Sequence, residues 1–381
     1  MSDRVREIAE RARDAGRLGL DTEFVGEGRY QPLLCLVQIA LPDGEIFLLD
    51  PVADEFDPTP LAEVMADPDI EIVLHAARQD VGLLHRDWGQ PVRCVFDTQI
   101  AAGFAGLRAQ MGYDALLKAT IGKSVHKGAS FTRWDKRPLT DEQLSYARGD
   151  VEDLLAVADN LQERLLAGGR LEWAREECRY FEEVDDRRDP DVLFRKLPKI
   201  NSLDGEQRAV ARELVIWREA AAKAAGRPPS TVLMDATLVE LAKRRPTTQE
   251  RLGQVRGLAE ATLHRRGASL LQAITDGAER EPIEPEPGKP SFGDSSDAPL
   301  IALAEALVRT RAKEAGLAYE LLATKSDLQR VVSAARADAG GEPDVRTLQG
   351  WRRDLVGDEL LELLAGRRTL RVGPSGSLVI E

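Results

Sequence analysis

Short apolar blocks in the first hundred residues follow the pattern of β-strands. The predicted strands are Leu18–Phe24, Leu33–Leu41, Glu45–Leu49, Ile72–Leu74 and a brief one that ends near Phe96. Between the second and third, Pro42, Asp43 and Gly44 indicate a hairpin turn. The first three strands are therefore predicted to be antiparallel.

Helical periodicity appears between and after these strands. Helices are predicted from about Arg78 to Trp88 and from Thr98, Tyr113 and Asp141 onward. Thr140 before the last helix is followed three residues later by Gln143, which is the pattern of a capping box. Residues 1–190 are thus predicted to form an α/β domain in which three antiparallel strands precede a helix-rich half.

Beyond about residue 190 strand signals vanish and amphipathic helices follow one another. One all-α domain is predicted for residues 200–280 and a second for 298–370. Residues 281–297 are rich in Pro, Glu, Ser and Gly with few large apolar side chains, so they predict a flexible linker. Residues 232–238 resemble residues 321–328, and helical segments follow both in the same order. This indicates a degenerate internal repeat.

The net charge argues against indiscriminate nucleic-acid binding. The chain of 381 residues has 52 Lys and Arg against 65 Asp and Glu, a balance of -13. One basic cluster stands out, because six cations share positions 118–137 with a single acid, Asp135. They are Lys118, Lys123, Lys127, Arg133, Lys136 and Arg137. The charge pattern fits a solvated face as well as a phosphate-binding surface.

Three cysteines, Cys35, Cys94 and Cys178, are widely spaced and do not form a CxxC motif. Neither a disulfide framework nor a cysteine zinc site is expected. The charged N-terminal residues lack the apolar segment of a signal peptide, and the sequence has no apolar run of membrane-spanning length. We therefore expect a cytoplasmic protein without a membrane partner.

Acidic residues recur at spacings that bring them to common faces. Asp21 and Glu23 are two apart on a strand and should project from one face, where two like charges need a cation. Tyr146 and Asp150 are four apart on a helix and also share a face. Asp80 begins a helix directly after a buried-looking strand. Singly, a strand-end aspartate is more often a turn residue, and a helix-start aspartate is more often a cap.

Several other polar residues favour structural roles. Asp97 is predicted to cap a helix, and His75 to be packed or hydrogen-bonded within the fold. The remaining histidines, His85, His126 and His264, show no metal-binding spacing. Residues 122–124 imitate the end of a phosphate-binding loop, but Leu117 stands where its first glycine belongs. This excludes an ATPase of that type.

In combination with residues 29–39 (RYQPLLCLVQI), 75–77 (HAA), 96–99 (FDTQ) and 131–139 (FTRWDKRPL), the acidic motifs resemble ribonuclease D. This family belongs to the Asp-Glu-Asp-Asp exonucleases that carry a tyrosine in the third motif. The resemblance covers nearly the whole chain. It places Asp21 and Glu23 in the first motif, Asp80 in the second, and Tyr146 with Asp150 in the third.

The resemblance implies a ribonuclease H-like exonuclease domain, with a mixed sheet flanked by helices. It also implies two helical domains of the type shared by helicases and ribonuclease D (HRDC). The first helical domain keeps the family pattern at Trp217, Arg218 and residues 244–248, whereas the second has diverged. The implied activity is that of a 3′→5′ exoribonuclease that releases nucleoside 5′-monophosphates. RNA, and tRNA precursors in particular, would be the partner of a monomeric enzyme.

Two divalent cations, Mg²⁺ or Mn²⁺, are implied as cofactors. In that family scheme Asp21 bridges both ions, Glu23 and Asp150 complete the site that activates water, and Asp80 holds the other ion. Tyr146 orients the water. The phosphates of the strand would contact the basic cluster, in which Lys123, Lys127, Arg133, Lys136 and Arg137 are the candidates.

Two other interpretations compete with an exoribonuclease. A DNA exonuclease could use the same carboxylates, since only contacts to the 2′-hydroxyl distinguish the two sugars. An RNA-binding adaptor without activity could keep the fold, but it should have lost a carboxylate. The sequence retains all four acidic positions and the tyrosine.

Overall fold

The computed structural model describes residues 2–53, 56–124, 133–284, 297–337, 341–374 and 376–381. The first part of the chain is built on a five-stranded sheet. Its strands are β1 (Arg17–Val25), β2 (Leu33–Ala40), β3 (Ile46–Leu49), β4 (Glu71–Leu74) and β5 (Val95–Asp97). Across the sheet the order is β3-β2-β1-β4-β5. The first three strands pair antiparallel, while β4 joins β1 and β5 in parallel, which confirms the predicted mixed sheet.

Eight helices surround this sheet in the described part of residues 2–182. They are α1 (Ser2–Ala15), α2 (Thr59–Met65), α3 (Arg78–Trp88), α4 (Thr98–Phe104), α5 (Tyr113–Thr120), α6 (Asp141–Glu152), α7 (Leu154–Ala167) and α8 (Leu171–Glu182). The four predicted helix starts are confirmed. Helices α1 and α2 have no counterpart in the sequence prediction.

The sheet separates two apolar layers. Leu18 and Leu20 of β1 pack in the layer formed with α1, α2 and α3. Gly19 faces the other way, because a Cβ atom built there would lie 3.5 Å from side-chain atoms of both Leu154 and Leu155. Odd-numbered positions of β1 therefore face α6 and α7.

Helical segments make up most of residues 190–278. They are α9 (Pro190–Arg195), a 3₁₀ turn (Ile200–Ser202), α10 (Gly205–Ala225), α11 (Pro229–Val232), α12 (Asp235–Arg244), α13 (Gln249–Gly253) and α14 (Glu260–Ala278). A core of their own side chains holds them together. The predicted linker begins as irregular chain at residues 281–284, while its residues 285–296 lie outside the described part.

A second helical region follows from residue 298. It contains α15 (Ala298–Ala315), α16 (Tyr319–Leu322), α17 (Lys325–Ala337), a 3₁₀ turn (Arg346–Leu348), α18 (Gly350–Arg352) and α19 (Asp358–Leu364), with a π-helical turn (Arg353–Gly357) joining the last two. The chain ends in a hairpin of β6 (Leu370–Val372) and β7 (Leu378–Ile380). The prediction that strands end before residue 190 was wrong, because three-residue strands are too short to show an alternating pattern.

The internal repeat is visible in the order of elements. In both regions a long helix ends at a left-handed glycine, Gly226 with φ 61° and Gly316 with φ 60°. A four-residue helix and then a longer one follow in each case. The two regions therefore share one helical plan, as their sequences predicted.

The second helical region packs directly on the α/β domain formed by the five-stranded sheet and its helices. Trp351 is 3 % exposed and stacks on Trp173 of α8 with 5.2 Å between ring centroids. The ring of Phe104 in α4 meets the same indole in a T-shaped arrangement, with 5.0 Å between centroids. Arg352 adds an ion pair to Glu177. These contacts join α4, α8 and the C-terminal helices into one continuous apolar core.

None of the helices in the described ranges has the length and apolar character that a membrane crossing requires.

Candidate active site

The first acidic pair lies on β1, just beyond the residues that pair with β4. Asp21 stands opposite Gln38 and Glu23 opposite Leu36 of the antiparallel neighbour β2. Both carboxylates project from the face that α6 and α7 cover, as strand alternation predicted. The pairing register shifts after Glu23, so the regular strand changes at the edge of the site.

Helix α6 brings the second pair to the same place. The side chain of Thr140 accepts a hydrogen bond from the Gln143 backbone N–H at 3.2 Å, and Thr140 N–H donates to Gln143 Oε1 at 3.0 Å. This capping box, predicted from the sequence, fixes the start of the helix. Ala147 is fully buried against the sheet, and Asp150 is presented toward β1.

Three carboxylates meet at this point. Asp21, Glu23 and Asp150 each offer an oxygen, and these oxygens lie within 4.8 Å of one another. The sequence placed these residues on a strand and a helix more than a hundred positions apart, and the packing of α6 on β1 joins them. A single cation could contact all three.

Asp80 approaches from the first turn of α3. Its side chain is 8 % exposed and accepts a hydrogen bond from the Thr22 hydroxyl. It stands outside the three-residue group, but its charge raises the pKa of both Asp21 and Glu23. All four predicted acids therefore contribute to one electrostatic site.

Burial is the main cause of the altered ionisation. Withdrawal from water, helped by the charges of Asp150 and Asp80, raises the pKa of Glu23 to about 8. Burial raises the pKa of Asp150 to about 7, and that of Asp80 to about 6 despite the hydrogen bond from Thr22. The pKa of Asp21 is raised well above its usual range by burial and then by the other three carboxylates.

The donor set fits a divalent metal. Within the described ranges, no lysine or arginine forms an ion pair with any of the four carboxylates, although other acids in the fold are widely paired. Buried negative charges without a positive partner are costly. Carboxylate oxygens are the ligands that Mg²⁺ and Mn²⁺ prefer, so these residues could hold such an ion.

Tyr146 lies one helical turn before Asp150 and faces the same site. Its ring packs near that of Trp134, with 6.2 Å between centroids. Partial burial and the charges of Asp150, Glu23 and Asp21 raise the pKa of the phenol to about 12. The hydroxyl is therefore protonated at neutral pH and can donate a hydrogen bond.

The cations of the basic cluster differ in exposure and in hydrogen-bond partners. All five N–H donors of the Arg137 guanidinium are engaged, by Asp50 and by the carbonyl oxygens of Trp134, Lys136 and Cys35. Arg137 therefore has a structural role here, and its contact with phosphate stays a prediction.

The other candidates keep more freedom. Lys123 pairs with Asp153 at 2.7 Å, yet 61 % of its side chain is exposed. Arg133 is 63 % exposed and pairs with Asp135 at 3.1 Å. Lys136 is exposed, and Lys127 lies outside the described residues.

The structural roles predicted for Asp97 and His75 are confirmed. The Asp97 carboxylate accepts hydrogen bonds from the backbone of Gln99 at 2.7 Å and of Ala77 at 2.8 Å, so it caps α4 and ties it to the turn before α3. His75 Nδ1 lies 3.0 Å from the Thr98 hydroxyl.

Sequence reasoning missed three polar residues beside the acids. Thr22 holds Asp80, and Gln38 is buried opposite Asp21. Burial, followed by repulsion from acids that include Asp150 and Asp21, raises the pKa of the Tyr113 phenol. In the sequence, Thr22 and Gln38 are polar residues inside apolar strand segments, and Tyr113 lies at the start of a helix. Such a position suggests a role only when the neighbouring strands and helices are known.

The mixed sheet and the carboxylate cluster define a metal-dependent 3′→5′ exonuclease joined to helical domains. In agreement, residues 1–166 match the 3′-5′ exonuclease family model and residues 207–274 match the HRDC domain model. Ribonuclease D of Granulibacter bethesdensis is 35 % identical over 359 residues, which cover 93 % of this chain and 88 % of that protein. The chain belongs to the ribonuclease D family of 3′→5′ exoribonucleases.

Further relatives agree along the length of the chain. Ribonuclease D of Gluconacetobacter diazotrophicus is 34 % identical over 373 residues, with 96 % of this chain and 92 % of the relative covered. The crystal structure of Escherichia coli RNase D, described as an exoribonuclease involved in structured RNA processing, superposes with a TM-score of 0.83 at 25 % identity. The superposition covers 96 % of this chain and 97 % of the Escherichia coli chain. The expected resemblance and fold class are confirmed.

Proposed function

We propose that the enzyme shortens RNA from its 3′ end by one nucleoside 5′-monophosphate at a time, using two Mg²⁺ or Mn²⁺ ions held by Asp21, Glu23, Asp80 and Asp150. The observation that carries this proposal is the meeting of Asp21, Glu23 and Asp150 within 4.8 Å. A pair of divalent cations in such a site supplies an activated water and stabilises the oxygen that leaves.

The electrostatics support a different part for each acid. Asp21 suits the central, shared position, since its pKa is raised by all three other carboxylates. Glu23 and Asp150 form its immediate neighbours on one side. Asp80, oriented by Thr22, completes the set from α3.

Tyr146 would orient the attacking water by donating or accepting a hydrogen bond through a neutral hydroxyl. A pKa of about 12 in the metal-free site opposes a phenolate at neutral pH. Its position one turn from Asp150 places the hydroxyl on the same helical face as a proposed metal ligand.

The substrate we propose is a tRNA precursor or another structured RNA with a 3′ extension. The helical domains offer surfaces beyond the cleavage site, and the Escherichia coli relative is described as acting in structured RNA processing. Lys123, Arg133, Lys136 and Lys127 are the proposed phosphate contacts. The surface ion pairs of Lys123 and Arg133 contribute little and can be exchanged for phosphate.

We further propose that the enzyme acts as a monomer in the cytoplasm. One chain supplies all four carboxylates and Tyr146, and the three cysteine thiols are free, which suits a reducing compartment.

The decisive experiment compares end-labelled RNA and DNA of the same sequence, each with a 3′ extension, in Mg²⁺, Mn²⁺ or EDTA. We expect stepwise loss of 3′ nucleotides from RNA with either metal and no reaction in EDTA. A circular RNA of the same sequence should survive. Cleavage of the circle at the rate of the linear strand would replace the exonuclease by an endonuclease, and a preference for the DNA would replace RNA as the substrate.

A further inference from the structure

A glutamine without hydrogen-bond partners is buried beside the carboxylates. Gln38 lies on β2, between Asp21 on β1 and Leu48 on β3, and none of its surface is exposed. In the described part of the structure, neither its Oε1 nor its Nε2 has a hydrogen-bond partner. Buried amide groups in folded proteins are normally paired, so an amide with both atoms unpaired requires an explanation.

Gln38 and Asp21 project from the same side of the sheet. Residues directly opposite on antiparallel strands share a face, with Cβ atoms roughly 4.5–5.5 Å apart. The same register puts Gly19 opposite Ala40 on this face, where α7 packs. The amide of Gln38 is therefore within a side-chain length of the Asp21 carboxylate.

The other surroundings of Gln38 are largely apolar. Helix α6 packs across β1 and β2, and its side chains Ala147 and Val151 are fully buried. On the same face of β2, Leu36 and Ala40 lie two positions to either side of Gln38, and both are buried. Asp21 is the polar side chain that the strand register places directly opposite the amide.

We propose that Gln38 is a positioning residue for Asp21. When the site holds a divalent cation, Gln38 Nε2–H donates a hydrogen bond to the Asp21 carboxylate and fixes the orientation of its oxygens. This inference rests on the proposed metal site. A neutral amide suits the task, because it supplies a donor without a positive charge that would compete with the cation.

The test is titration of the full-length protein with Mn²⁺ by calorimetry. Gln38→Met keeps the length of the side chain and removes both polar atoms. We expect Mn²⁺ affinity to fall roughly 10- to 100-fold, as is typical when a group that supports a metal ligand is lost. Leu48→Met, on the strand at the other side of Gln38, is the matched control and should bind Mn²⁺ like the parent protein.

Thermal melting in EDTA separates this role from a structural one. Since Gln38→Met removes two unpaired polar atoms, the metal-free variant should melt at the parental temperature or higher. A variant that melts normally and binds Mn²⁺ as tightly as the parent overturns the inference. Should the methionine variant not fold, Gln38→Asn retracts the same amide and should weaken Mn²⁺ binding in the same direction.

A double-mutant comparison with Asp21→Asn tests the route of action. If Gln38 works through the Asp21 carboxylate, Gln38→Met should cause no further loss of Mn²⁺ affinity in the Asp21→Asn protein. Equal losses in both backgrounds would contradict a role through Asp21. Failure of the parent protein to bind Mn²⁺ at all would instead overturn the metal site, and the inference with it.

Discussion

The carboxylates at this site are buried or half-buried, although burial disfavours their charged form. Glu23 and Asp150 are carboxylates whose pKa values burial raises to about 8 and about 7. Elsewhere in the same domain, Asp50 is paired with Arg137, which lowers its pKa. This contrast in pKa supports the proposed cation site at Glu23 and Asp150.

Asp150→Asn should therefore stabilise the metal-free enzyme at neutral and alkaline pH. A folded-state pKa above the unfolded value means that stability is full below about pH 4 and is lost as pH rises through about 7. The amide removes this loss. Melting temperatures in EDTA between pH 5 and 9 should fall less steeply for the variant than for the parent.

The same variant should lose Mn²⁺ affinity and nearly all turnover, because a charge opposite the cation is gone. Stabilisation without metal together with loss of metal binding is the expected signature. An Asp150→Asn protein that is less stable than the parent in EDTA at pH 8 would mean that the carboxylate is paired in the fold and is not a vacant ligand.

Tyr146→Phe tests whether the tyrosine hydroxyl orients water without binding the metal. It keeps the ring beside Trp134 and removes only the hydroxyl, so stability and Mn²⁺ affinity should persist. The rate of a single turnover should drop by roughly 10²–10⁴-fold, the usual contribution of a group that handles a proton or orients water. Cleavage at the parental rate would remove the tyrosine from the mechanism.

At the scale of elements, the sequence predicted what local periodicity encodes. Strand β1 and helix α6 were predicted with their functional faces, because two-residue and four-residue spacings fix which side chains share a face. Helix α1 was missed since charges surround its buried positions Val5, Ile8 and Ala12. The roles of Gln38 and Arg137 depend on which strands and loops become neighbours, and no local pattern carries that information.

The contact between α8 and α18 should be a major source of stability. Trp351→Ala leaves a cavity between Trp173 and Phe104, and truncations of this kind cost about 3–5 kcal/mol. Chemical denaturation should show the loss, and Tyr180→Ala serves as control because that ring is 58 % exposed. A loss below about 0.5 kcal/mol, the size of an ordinary surface effect, would show that the second helical region docks only loosely.

On the scale of the whole molecule, the two helical regions relate differently to the exonuclease domain. The second shares an apolar core with it, so removal of residues 200–381 would expose Trp173 and Phe104. The first meets it at a smaller contact, in which the Tyr30 ring packs on the helical core. Tyr30 and Arg188 both donate hydrogen bonds to the buried carboxylate of Glu219. Tyr30 lies on the loop that leads out of β1, a few residues after Glu23.

This polar junction should set how structured RNA reaches the cleavage site. Tyr30→Phe removes the 3.1 Å hydrogen bond to Glu219 while the ring contact with Arg188 remains. A hydrogen bond to a charged group contributes about 1.5 kcal/mol or more, so weaker docking should raise KM for a tRNA precursor by roughly tenfold or more. The kcat for a short single strand should stay at the parental value, because the proposed catalytic groups lie before residue 151. Steady-state kinetics on both substrates measure the difference.

A parallel loss on the short strand would show that the junction helps to shape the carboxylate site. An unchanged KM for the precursor would show that the first helical domain binds RNA in any orientation that its connection to the exonuclease domain allows.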